Sequence, residues 1–267
     1  MGRRRWWTPS HRERRAQSHV VGIALLLGIT VIALVGLTAG IGTMVEHNAG
    51  AADAERVADG IQDVYAPSET TGTTSGVVHL SGGELRTETR TIRLLAVDDE
   101  SGVPGLGTID PEHEALDPIE RVETDVLWYE NDHRTVTTGG GAVLVGGDGG
   151  ARFHRPPAIH AGPEPSDPLL IGIPAVDAGQ VSIGGNDRGT RLRIGTTVDH
   201  ERQSLNASEY RLAIETERPG VWERHFEAKG LPVTTVDADG PTVVVGLAGD
   251  GPAYLVVHRT ELEVTVG

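Results

Sequence analysis

Three hydrophobic patterns follow one another along the chain. From Val20 to Val45 the run VVGIALLLGITVIALVGLTAGIGTMV holds no Asp, Glu, Lys or Arg. As a helix, rising about 1.5 Å per residue, it spans roughly 39 Å, more than the ~30 Å hydrocarbon core of a bilayer. The apolar part of a secretory signal is shorter, about 7–15 residues. A disposable signal is therefore the weakest reading, and a retained transmembrane helix is expected. Beyond it, Glu46–Tyr65 keeps small or apolar residues at Ala54, Val57, Ala58, Ile61 and Val64. That spacing is the buried stripe of an amphipathic helix, and Ala66-Pro67 should end it. The two stretches predict one helix from about Ser18 to Tyr65, a stalk for a separate head.

From about residue 76 the period falls to two. GVVHLSGGELRTETRTIRLLAV reads as two strands joined at Gly82-Gly83, with Leu85, Ile92 and Leu94 among the apolar positions. A second pair runs from Ile119 through Val122, Val126 and Trp128, turns at Asn131-Asp132, and returns along Thr135–Thr138. Further strands are expected at Leu169–Ile173, Gln180–Ile183, Arg191–Val198, Tyr210–Thr216, Thr242–Leu247 and Tyr254–Val266. Threonine and valine dominate these runs, as half-buried strands require. One short helix is expected at Val221–Lys229, burying Val221, Trp222 and Phe226. Residues 139–150 and 155–168, rich in Gly and Pro, read as a hairpin loop and a connector between sheet regions. The expected fold is α+β: a long apolar N-terminal helix, then a mainly antiparallel β head of the sheet or sandwich type. Its division is 1–16 leader, 17–65 helix, 66–75 linker and 76–267 head.

Charge sharpens this picture. The chain has 23 Lys+Arg against 38 Asp+Glu and a net charge of −15. Six arginines (Arg3, Arg4, Arg5, Arg12, Arg14, Arg15) and one acid, Glu13, lie within residues 1–16. Setting these aside leaves 17 basic and 37 acidic residues from Glu46 onward, a balance of −20. Such a surface repels nucleic acid, so no nucleic-acid partner is expected. The positive-inside rule keeps the arginines cytoplasmic and sends the head outside, as a single-pass membrane protein. There is no cysteine, which excludes disulfides and thiolate chemistry. An acidic chain whose only lysine is Lys229 looks like a protein of a salt-loving archaeon, since high salt screens carboxylate repulsion.

The chain offers little recognisable chemistry. The glycine run at 139–150 lacks the Lys-Ser/Thr of a phosphate loop. His133, His154 and His160 lack metal-ligand spacing, and no metal or cofactor is expected. Asp98-Asp99-Glu100 and Asp237-Ala238-Asp239-Gly240 lack the alternating register of a calcium loop. No G-x-S-x-G elbow occurs, and no catalytic residue or enzyme activity is assigned. Asn206-Ala207-Ser208 fits the N-glycosylation acceptor pattern at Asn206.

Within the apolar run, Gly22, Gly28, Gly36 and Gly40 punctuate the helix, the last two as a GxxxG pair that favours close helix packing in an apolar medium. Basic residues, then Ala16-Gln17-Ser18, then AQSHVVGIALLLGITV, resemble the start of archaeal type IV prepilins and archaellins, most of all haloarchaeal pilin-like proteins. The resemblance covers about residues 12–65. It implies cleavage by a prepilin peptidase between Ala16 and Gln17, which leaves Gln17 first. It also implies assembly with other pilin-like subunits through the retained helix. Val21 stands where bacterial pilins have a glutamate, which archaeal members commonly lack, and Ala16 stands before the cut in place of glycine, which the archaeal enzymes tolerate. The implied role is a minor pilin-like surface subunit, with adhesion or filament capping by the head. Two rivals stay open: an uncleaved single-pass surface protein whose head binds an extracellular ligand, and a membrane-tethered enzyme with a site assembled from distant residues.

Overall fold

The computed structural model describes residues 12–65, 71–97, 119–147, 149–160, 167–186, 189–207, 209–237, 240–248 and 251–267. Within it the chain divides into two units between Ala49 and Gly50. Helix α1, Arg12–Tyr65, crosses that division without a break. It starts earlier than the expected Ser18 because Arg, Glu, Ala and Gln are strong helix formers and nothing in RERRAQ interrupts them. Along 22–45 its side chains are exposed, from 52% at Val31 to 73% at Ile32. It is long and apolar enough to cross a membrane.

The second unit begins with the last turns of α1 and continues into β strands. Strands β1 (Gly72–Leu80), β7 (Ile159–His160), β8 (Leu169–Asp177), β10 (Thr190–Leu205) and β14 (Ala253–Val266) make one five-stranded sheet, ordered β1-β10-β14-β8-β7. The other sheet runs β12-β13-β11-β2-β3-β4-β5-β6, with β9 paired to β2. Its strands are β2 (Glu84–Val97), β3 (Glu120–Glu130), β4 (Arg134–Gly139), β5 (Ala142–Gly147), β6 (Gly150–Arg155), β9 (Ser182–Gly184), β11 (Glu209–Glu215), β12 (Val233–Asp237) and β13 (Pro241–Ala248). All pairings are antiparallel except β14 with β8. Helix α2, Pro219–Ala228, buries Val221, Trp222 and Phe226 as expected.

Several local elements differ from expectation. The chain does bend between β1 and β2 near Gly82-Gly83, but the two strands enter different sheets and do not pair. Strand β1 starts at Gly72, inside the stretch read as linker, because Thr73-Thr74 extend a run of β-formers upstream. The glycine run at 139–150 is structured: Gly140 and Gly141, at φ +55 and +79, form a two-residue turn that pairs β4 with β5. Between the glycines, Ala142–Val145 is buried on both faces. The connector does pass between sheets, from β6 to β7 and β8, carrying the short strand β7 within it. Strands β6 and β12 lie outside every expected strand.

Two cores lie on opposite faces of the strands. The first gathers Leu169, Ile171, Leu212, Trp222, Val245 and Leu255 under α2. The second gathers the α1 stripe (Ala54, Val57, Ala58, Ile61, Val64) with Leu80, Leu127 and Leu192. Strand parity separates them: alternate side chains point to opposite faces. Leu255 and Val257 of β14 face the first core, whereas Leu262 faces the second. The helix reaches β1 at close range: a Cβ added to Gly76 would meet Val64 Cγ2 at 2.6 Å, and one on Gly60 would meet Val78 Cγ2 at 3.1 Å.

A buried polar cluster fixes the first turns of this packed segment. Asp53, 5% exposed, accepts hydrogen bonds from the Tyr129 hydroxyl at 2.6 Å, the Ser81 N–H at 3.2 Å and Arg56 Nη1 at 2.9 Å. Asn131 Nδ2 donates to Gly50 O at 3.0 Å and to the Tyr129 hydroxyl at 3.2 Å. Burial first, then the bond to Asp53, pushes the Tyr129 phenol well above its usual range. Nearby, His154 Nε2 lies 2.9 Å from Asp59 Oδ1, and Arg152 Nη2 lies 2.6 Å from Glu55 Oε1. Charged side chains thus border the apolar stripe where it meets β6.

Candidate functional site

The apolar part of α1 is the first candidate. Its glycines Gly22, Gly28, Gly36 and Gly40 have open space where a Cβ would stand, with nothing within 4 Å. They leave shallow, smooth places on an apolar rod, as close backbone approach requires. The threonines do not spoil it: Thr30 and Thr38 donate to Leu26 O and Leu34 O at 2.8 Å, and Thr43 donates to Gly40 O at 3.1 Å. Each hydroxyl is satisfied within the helix, so the segment offers hydrocarbon and no free donor. This surface suits lipid or other apolar helices. Ala16, Gln17 and Ser18 lie on the helical backbone, and their side chains are outside the described residues, as are residues 1–11.

A second candidate lies on the head. Each of β8, β10 and β14 turns its even-numbered side chains to one face. At one end this face carries Val176, Leu192, Ile194 and Leu262 of the second core. At the other end it is open, and a groove of about 500 Å³ lies along it. Ala158, Leu170, Gly172 and Val256 give the groove its apolar walls; His160, His200, Arg202, Tyr254 and His258 give it polar groups. The position pattern explains the change. Along β10 the even side chains pass from Leu192, Ile194 and Val198 to His200 and Arg202, and coverage stops where polarity begins.

His200 and His258 stand directly opposite each other on β10 and β14. Their Nδ1 atoms are 2.9 Å apart and their rings meet edge to face. One Nδ1 must donate to the other, so the pair shares a single proton there. His200 Nε2 is buried with no hydrogen-bond partner among the described residues. Gly172 leaves room for this arrangement: a Cβ there would lie 3.1 Å from His258 Nε2 and 2.9 Å from Ala158 O.

The histidines singled out in the sequence part company. His154 joins the acids of α1, His133 lies by Gly50, and only His160 reaches the groove. Among the described residues no three His, Asp or Glu side chains form a metal-sized group. Asp98-Asp99-Glu100 lies outside the described residues, as do Ala238 and Asp239. Asn206 is exposed just after β10, whereas Ser208 is outside the described residues. The pairing of His200 with His258 had no signal in the sequence; only the β10–β14 register brings together residues 58 positions apart.

A model of DUF7289, a family of unknown function, matches residues 15–263, and the chain belongs to that family. No curated protein and no solved structure matches it.

Proposed function

We propose that this chain is a type IV pilin-like, minor cell-surface subunit of a salt-loving archaeon. The arginine-rich leader stays in the cytoplasm while residues Val20–Val45 cross the membrane and the acidic head faces outward. A prepilin peptidase cuts between Ala16 and Gln17. Loss of six arginines removes the charges that hold the segment at the cytoplasmic face. The freed helix then exchanges lipid for the helices of sister subunits, with Gly22, Gly28, Gly36 and Gly40 at the contacts. The head serves adhesion or capping, and the chain carries out no catalysis itself.

One observation supports this reading most. A single unbroken helix is apolar and exposed over 22–45 and buries its stripe in the head core over 54–65. A simple anchor needs only a tether between membrane and domain. A subunit that transmits filament forces needs the assembly helix to be part of the domain.

The test is the N-terminus of protein recovered from cell envelopes and from sheared surface filaments. We expect Gln17 as the first residue, and loss of processing in Ala16→Asp. Full-length protein absent from every filament fraction would refute the assignment. The groove favours a second reading, an uncleaved single-pass surface protein whose head binds an extracellular ligand.

A further inference from the structure

We infer that the groove on the open face of β8, β10 and β14 is a binding site for an organic carboxylate with a flat apolar body. The inference does not depend on the filament reading; it gives a chemical class to the ligand that the second reading requires.

Size and wall chemistry are the first argument. Small-molecule sites are typically clefts of about 300–1,000 Å³, mostly apolar, with a few converging polar groups. This groove, near 500 Å³, has that make-up. Tyr254 (43% exposed) and Leu170 (40% exposed) are both large and accessible there. Because β14 and β8 pair with Tyr254 opposite Leu170, the two stand side by side on one face. Together with Val256 they offer a platform on which a planar body can stack.

Charge complementarity is the second argument. The chain carries 38 acidic against 23 basic residues, yet among the described residues no acidic side chain lines the groove. Among the described residues the one Lys or Arg lining it is Arg202, whose side chain has neither an ion pair nor a hydrogen-bond partner there. A guanidinium in that state presents a planar fork of donors suited to a carboxylate. His160, on the neighbouring edge strand, adds an exposed imidazole. The His200–His258 pair is engaged with itself and forms the floor.

The test is calorimetric titration of the full chain in detergent with 2-naphthoate, its neutral isostere 2-naphthamide, and glucuronate, against detergent blanks. Naphthoate should bind at least ten-fold more tightly than the amide. Arg202→Gln should erase that preference, and Tyr254→Ala should weaken both aromatic probes alike. Arg259→Gln, which removes the ion pair with Glu201 on the opposite face, should change nothing. Equal binding of amide and acid, or no binding of naphthoate up to millimolar concentration, overturns the inference. Glucuronate binding as tightly as naphthoate overturns its apolar half. None of these outcomes bears on whether Gln17 becomes the N-terminus.

Discussion

Replacing Ile61 by alanine tests directly whether the end of α1 belongs to the head. Ile61 is fully buried in the second core with Val57, Ala58 and Val64. Removing a buried isoleucine to alanine costs about 2–5 kcal/mol, more where the cavity cannot collapse. Here the strands around it are tied into two sheets and Gly60 already touches β1, so relaxation is limited. We expect about 3–4 kcal/mol. Domains of this kind hold about 5–15 kcal/mol in total, so the loss is a large share of the head's stability. With urea slopes of about 1–3 kcal/mol/M, the midpoint should fall by roughly 1 M or more. The assay is urea unfolding of the full chain in detergent, followed by tryptophan fluorescence; Trp222 is a buried reporter. Leu34→Ala, at a position 57% exposed, serves as the control and should leave the transition in place. A loss below about 1 kcal/mol for Ile61→Ala, or an equal loss for Leu34→Ala, would refute the claim that these last turns are core.

Gly76→Ala places a methyl 2.6 Å from Val64 Cγ2, and overpacking there should cost about 1–3 kcal/mol in the same assay. Tyr129→Phe removes a 2.6 Å bond to a buried carboxylate and should cost about 1.5–3 kcal/mol; combined with Asp53→Asn, its effect should be strongly non-additive, and simple additivity would dissolve the proposed cluster. Acid sensitivity should come in part from His225, which packs against Phe153 and Phe226. Burial, then the charge of Lys229, lowers its pKa. The unfolded chain therefore takes up the proton first, so stability is full above the ordinary imidazole value of about 6.5 and falls as pH drops below it. His225→Phe should flatten the fall between pH 7 and 5, and an unchanged pH profile would contradict the assignment.

Features that depend on neighbours along the chain could be read from the residues alone. The length of the apolar run, the i, i+3, i+4 stripe of Ala54 to Val64, and the Pro-Gly start of α2 are local patterns, and each reappears as an element. Period-two runs likewise marked most strands, since alternation records one buried face. Register and coverage belong to the tertiary structure. Nothing near His200 in sequence indicates His258, because antiparallel pairing is set by long-range packing. The burial of both faces of β5 was hidden for the same reason: glycines that look like loop serve as turns once two cores need a strand between them. The groove exists because the second core ends before the sheet face does. The stripe of α1 was legible as something that must be covered; that β1, β3 and β10 cover it, with Asp53 and Tyr129 joined beside it, was decided only when the strands closed around the helix.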